Sequence, residues 1–179
     1  MRTWVLAAVV AAVVVAGCGA PAEPTDGGRP EASPDEVKVS DATFATLDAA
    51  IKAHKGDVVL VDFWATWCGP CVKSFPHLVK LHRRYADRGL RCISVSIDKP
   101  DADVQVLGFL REKRAGFQNF HWKTWGRELQ EFQEAFNFDG SIPHMVAFNR
   151  AGERVWDSNS QDLSDAAKDE LVKNLVTAN

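Results

Sequence analysis

The chain has 179 residues, with 24 acidic side chains against 21 basic ones and four cysteines. That length buries a full core without disulfide staples, and 46% hydrophobic with 25% charged residues excludes wholesale disorder, collagen-like repeats and a multi-span membrane protein. A net charge of −3 argues against a nucleic-acid partner, which calls for a basic excess or stripe.

Residues 1–17 place Arg2 before an unbroken apolar run from Trp4 to Ala16. This fits the positive and apolar regions of a signal peptide. The run falls short of the about 20 residues that a membrane-spanning helix needs. Val15-Ala16-Gly17-Cys18 resembles the bacterial lipoprotein box. The resemblance implies cleavage before Cys18, lipidation of that cysteine and attachment to a bacterial membrane on its periplasmic side, since two acyl chains anchor firmly where one does not. Residues 18–36 hold Pro21, Pro24, Pro30, Pro34, Gly27 and Gly28 with almost no large apolar side chain. Such a segment buries too little surface to offset its ordering entropy and reads as a flexible tether. One folded domain is then expected over residues 37–179.

Within that domain Val37-Lys38-Val39 alternates as a short edge strand, and Thr43 to Lys55 carries Phe44, Leu47, Ala50 and Ile51 at helical spacing. Val58 to Trp64 is apolar except for Asp62, the pattern of a strand buried on both faces. A helical stripe runs from Cys71 to Arg88, with Pro76 inside it as a kink. Leu90 to Ile97 is a second strand, ending at Asp98-Lys99-Pro100. A helix from Val104 towards Gly116, a short strand Phe120 to Thr124 and a helix Trp125 to Phe136 follow. Strands Ile142 to Phe148 and Val155-Trp156 flank the turn Asn149-Arg150-Ala151-Gly152, an expected antiparallel hairpin. A last helix, Leu163 to Val176, has Asp162 or Ser164 to cap it. Alternating strands and helices give an α/β domain, with a mixed central sheet because of the hairpin.

Cys68 and Cys71 stand two residues apart where strand passes into helix. Such a pair can close a small disulfide ring. The helix N-terminus offers partial positive charge and free N–H groups, both of which favour a thiolate. Cys68, nearer the end, is therefore the expected nucleophile and Cys71 the shielded resolving thiol. Cys92, alone in a strand, reads as a small buried hydrophobe.

Trp67-Cys68-Gly69-Pro70-Cys71 after a buried strand resembles the active site of the thioredoxin superfamily. Val61-Asp62-Phe63-Trp64-Ala65, Pro76, Ile142-Pro143 and Asn149-Arg150-Ala151-Gly152-Glu153 extend the likeness over about residues 40–178. The long stretch between Ile97 and Ile142, an insertion between the central strand and the cis-proline loop, points with the lipoprotein-type leader to the membrane-tethered TlpA/ResA-type branch. The resemblance implies a thioredoxin-like sheet with helices on both faces, and a redox-active Cys68–Cys71 disulfide needing no other cofactor. It places Asp62 beneath the disulfide to relay a proton to or from Cys71, and a cis Pro143 against the sulfurs. Trp67, Gly69, Pro70, Ile142 and Pro143 would meet the substrate.

The implied activity is reduction of disulfides in client proteins, of the cytochrome c maturation or copper-site assembly type, with an upstream membrane thiol-relay protein as reductant. Gly69-Pro70 matches thioredoxin, a reducing couple of about −270 mV. His144 departs from the family pattern, which has a small residue after the proline. Pointed at the sulfurs it would complete a copper site with Cys68 and Cys71, the function of a copper chaperone; pointed elsewhere it is a core histidine. A thioredoxin-fold peroxidase is the remaining alternative, disfavoured by Trp67 before Cys68. His54, His77, His82 and His121 lack metal-ligand spacing and read as surface or packing residues, Lys80, His82, Arg83 and Arg84 as a solvated helix face, and Trp122 and Trp125 as core.

Overall fold

A computed structural model describes residues 30–124 and 128–178. The leader, Cys18, most of the expected tether and Trp125 lie outside the described residues. No helix among the described residues is long and apolar enough to cross a membrane.

Among the described residues six strands form one sheet: β1 (Ser40–Asp41), β2 (Val58–Trp64), β3 (Leu90–Ser96), β4 (Gln118–His121), β5 (His144–Phe148) and β6 (Arg154–Asp157). Their order is β1-β4-β3-β2-β5-β6. The four strands β1, β4, β3 and β2 run parallel, while β5 is antiparallel to both β2 and β6. Every residue of β2 is buried, as its continuous apolar run requires of a central strand.

Among the described residues five α-helices cover the sheet: α1 (Phe44–Ala53), α2 (Gly69–Tyr85), α3 (Asp103–Glu112), α4 (Leu129–Phe136) and α5 (Asp165–Thr177). The two-residue period of β2 divides them. Trp64 turns to one face, its ring 4.9 Å from Phe75 of α2 and 4.6 Å from Phe109 of α3. Phe63 turns to the other, stacked on Phe138 at 4.6 Å and edge-on to Phe132 and Phe136 of α4. Phe44 brings α1 onto this second cluster. Helix α5 lies beside α2, where Asp169 faces His77 and Arg84 at 3.6 and 3.7 Å.

The helix starts are set locally. Thr43 Oγ1 accepts from Thr46 N–H at 3.2 Å, and Ser164 Oγ, rather than Asp162, accepts from Ala167 N–H at 3.3 Å. Helix α2 begins at Gly69, two residues before the expected start, because Cys68 caps it and Pro70 occupies the first turn, where a missing N–H costs nothing. Pro76 lies inside α2 without ending it.

Three further differences have physical reasons. The edge strand forms at Ser40–Asp41, in register with Phe120–His121, because Val37 turns into the core at 2% exposure instead of alternating along an edge. Residues 31–36, read as tether from composition, lie on the domain. Glu31 pairs with Arg83 and Arg114 at 2.9 and 2.6 Å, and Glu36 accepts from Ser33 N–H to close a turn of 3-10 helix. Charge pairing and local capping hold a stretch that has little apolar surface. His82, expected on a solvated face, is buried edge-on to the Phe117 ring.

At the far end of the sheet from the β2–α2 junction, the Arg150 guanidinium donates to the carbonyls of Gly56, Arg88 and Val176 at 2.7, 3.2 and 2.9 Å. Gly89 adopts φ 87°, and a Cβ there would stand 2.9 Å from that guanidinium.

Phe63 joins β2 to four rings and is fully buried. Phe63→Ala is expected to lower the unfolding free energy in urea by about 3–5 kcal/mol while leaving the Cys68–Cys71 pair able to oxidise.

Candidate active site

Strand β2 delivers the chain to the end of the sheet at Trp64, and residues 65–67 turn it into α2. Cys68 N–H donates to the Ala65 carbonyl at 3.1 Å, tightening that turn, and Val72 N–H reaches back to the Cys68 carbonyl at 3.0 Å. Cys68 and Cys71 are joined as a disulfide with their Cα atoms 5.2 Å apart. The pair is asymmetric. Cys68 is 6% exposed and Cys71 1%, and Cys71 N–H donates to Cys68 Sγ at 3.2 Å. This backbone donor and the open first turn of α2 aim positive potential at Cys68, the arrangement that favours a thiolate there. Trp67 stands 65% exposed beside it, and Gly69 and Pro70 are exposed as well.

Asp62 is 3% exposed in the middle of β2. It shares a face with Trp64, whose ring meets α2, so its carboxyl lies under the helix that carries Cys71. Burial pushes its pKa up to about 7, opposed in part by the positive charge of Lys168 on α5. A carboxyl that exchanges its proton near neutrality is suited to acid–base work. Cys92 lies on the same face of β3, opposite Leu60. Burial, reinforced by the Asp62 charge, pushes its thiol well above the usual cysteine range, so it is no nucleophile at neutral pH.

The Ile142–Pro143 bond is cis. His144 pairs with Phe63 near the end of β2, which puts Pro143 and half-buried Ile142 at the same end of the sheet as the disulfide. His144 itself is directed away from the sulfurs. It is fully buried on the opposite face, 5.8 Å from the Phe63 ring and 5.5 Å from Phe138. Its Nε2 is 2.9 Å from the Phe136 carbonyl and its Nδ1 3.2 Å from Ser158 Oγ, and burial holds its pKa below the ordinary histidine value. The soft ligand set of Cys68, Cys71 and His144 that the sequence left open is therefore not assembled, and His144 is a core histidine. No group of three or more His, Cys, Asp or Glu among the described residues has metal-binding geometry.

The sequence reading missed Asp98 and Thr66. Asp98 follows the end of β3 by two residues and is 2% exposed, and its carboxylate receives Thr66 N–H at 2.9 Å and Ser96 Oγ at 2.7 Å. The signal available was an acid closing an apolar strand, the pattern already noted at Asp62. Trp122, expected in the core, stacks on Phe132 at 3.7 Å and is fully buried.

The high pKa of Asp62 makes stability depend on pH. The native acid keeps its proton between about pH 4 and 7, where the unfolded chain has lost it, so stability falls as pH rises through that window. Against Asp62→Asn, the wild type is expected to lose at most about 4 kcal/mol between the ends of that range, read by urea unfolding of the oxidised proteins. Parallel pH curves for the two would contradict a buried, proton-binding Asp62.

Residues 34–175 match the family model described as Redoxin. A thiol-disulfide oxidoreductase ResA of Bacillus thuringiensis subsp. konkukian is 34% identical over 62 residues, 35% of this chain and 35% of that protein. The chain thus matches about a third of the length of that curated relative. Two solved structures share the fold. A thiol:disulfide interchange protein from a Bacteroides species has a TM-score of 0.56 at 24% identity, covering 70% of this chain and 77% of the other. An exposed lipoprotein thioredoxin of Streptococcus pneumoniae has a TM-score of 0.54 at 16% identity, covering 70% and 90%. With the fold, the disulfide at the start of α2 and the match over residues 34–175 taken together, the chain belongs to the Redoxin family of thioredoxin-like proteins.

Proposed function

We propose that this protein is an extracytoplasmic thiol–disulfide oxidoreductase that reduces disulfides of client proteins through Cys68 and Cys71. The observation that carries the reading is the unequal disulfide at the N-terminus of α2: Cys68 is the more accessible sulfur and receives the Cys71 N–H, and Cys71 is fully enclosed. In the reduced enzyme the Cys68 thiolate attacks one sulfur of a client disulfide. A mixed disulfide forms and the other client sulfur leaves as a thiolate. Cys71 then gives its proton towards Asp62 and attacks Cys68 Sγ. The second client sulfur is released, the client has gained two electrons, and the Cys68–Cys71 bond is restored. A further dithiol must reduce that bond for the next cycle, the role assigned to a membrane thiol-relay protein.

The ResA-named relative supports a ResA-type assignment. Haem-attachment cysteines and copper-site cysteines are the client classes that this assignment suggests. The lipoprotein box at Cys18 supports a lipid anchor on the outer side of a bacterial membrane. Exposed Trp67 and Pro143 and half-buried Ile142 offer a surface on which an extended client segment fits. A copper chaperone gains no support, because His144 faces the aromatic cluster behind β2. A peroxidase gains none either, because Cys68 follows Trp67 and is paired with Cys71.

Wild type is expected to reduce insulin disulfides with dithiothreitol as donor, and Cys68→Ser to abolish this. Cys71→Ser should instead accumulate the mixed disulfide, visible on a non-reducing gel, and Asp62→Asn should slow its resolution at least about tenfold at neutral pH. A reduction potential at or above about −150 mV would overturn the reductase direction. Cys18→Ser is expected to move the protein from the membrane to the soluble fraction; unchanged sedimentation with membranes would remove the lipid anchor from the reading.

A further inference from the structure

The residue two positions before Cys68 is held unusually well. Thr66 N–H donates to Asp98 Oδ2 at 2.9 Å, and its hydroxyl donates to Asp98 Oδ1 at 2.5 Å. The same carboxylate accepts from Ser96 Oγ at 2.7 Å, and Asp98 N–H returns a bond to that hydroxyl at 3.1 Å. The backbone of Asp98 is fixed in turn, with its carbonyl 3.2 Å from Nε2 of fully buried His121. The other ring nitrogen of His121 is 2.8 Å from Asp103, and Lys123 ties Asp103 to Asp41 at 2.8 Å on each side. A polar chain thus runs from the loop before the disulfide, across the ends of β3 and β4, to the edge strand β1.

A buried carboxylate committed to three donors is expensive to desolvate and serves badly as mere filling. What it fixes is both donors of Thr66, and so the turn that closes with Cys68 N–H on the Ala65 carbonyl. The thiolate at Cys68 depends on how well its sulfur meets the N–H groups of the first turn, the nearest at 3.2 Å. That stabilisation is directional and weakens steeply with misalignment.

We propose that Asp98 is a positioning residue that acts through Thr66 to aim Cys68 Sγ at the N-terminus of α2. It rests on the redox reading of Cys68 given above. The sign of its effect separates it from a simple charge effect. An anion near a thiol disfavours the thiolate, so removing the Asp98 charge alone lowers the pH at which Cys68 becomes reactive. Loosening the loop raises it.

The test is the pH profile of iodoacetamide alkylation at Cys68 in the reduced full chain, followed by mass spectrometry. Wild type is compared with Asp98→Asn, Thr66→Val and Thr66→Ser. Asp98→Asn and Thr66→Val are both expected to move the midpoint upwards, cutting alkylation at a fixed pH below it roughly threefold or more. Thr66→Ser keeps the hydroxyl and is expected to follow wild type. A midpoint for Asp98→Asn that stays or falls overturns the proposal, including when thermal stability drops, which marks a purely structural anchor. Should Asp98→Asn fail to fold, an unmoved profile in Thr66→Val overturns it alone. Insulin reduction by the wild type is read in parallel. Its absence removes the redox reading, whereas the alkylation profiles report the positioning itself.

Discussion

The first turn of α2 has to begin where the most deeply buried strand stops, and the rest of the molecule is arranged to make that possible. A helix start carries N–H groups with no partner inside the helix. Here Cys68 supplies the cap, so the atom that satisfies the backbone is also the atom that reacts. Moving the start by one residue would hand the cap to Trp67 or Gly69 and leave the sulfur without its donor. The fixed start is held from below by β2, buried at every position, and from above by Pro70, whose missing N–H is best suited to the first turn.

Two buried carboxylates serve this junction by opposite means. Asp98 is surrounded by hydroxyl and amide donors that suit an anion. Asp62 sits where desolvation dominates and its proton is retained up to near neutrality. In the proposed mechanism one acid holds the loop and the other exchanges a proton. The difference lies in the donors within reach, since the two are almost equally buried. Cys92 shows the same economy. The medium that raises Asp62 also silences the third thiol, leaving a single reactive pair at this end of the sheet.

Much of this was legible in the chain. The apolar run 58–64, the two cysteines at the helix start and the alternation of strands and helices are local patterns, and they set the sheet order's centre and the site. What the sequence hid depends on side-chain direction. His144 was legible only as a histidine near the site; the register that opposes it to Phe63 turns its ring to the far face. The anchoring role of Asp98 needs Thr66, which is 32 residues distant in sequence. The ends of elements shifted where one contact outweighed local propensity, as with Val37 in the core and Glu31 between Arg83 and Arg114.

The guanidinium of Arg150, which donates to three carbonyls, has a reach beyond its own corner. It grips α5 at Val176, and the same helix bears Lys168, whose charge acts on Asp62. The two positions are roughly 12 Å apart along the helix axis. The hairpin turn thus holds the last turn of α5, the helix whose Lys168 opposes in part the burial that raises the Asp62 pKa.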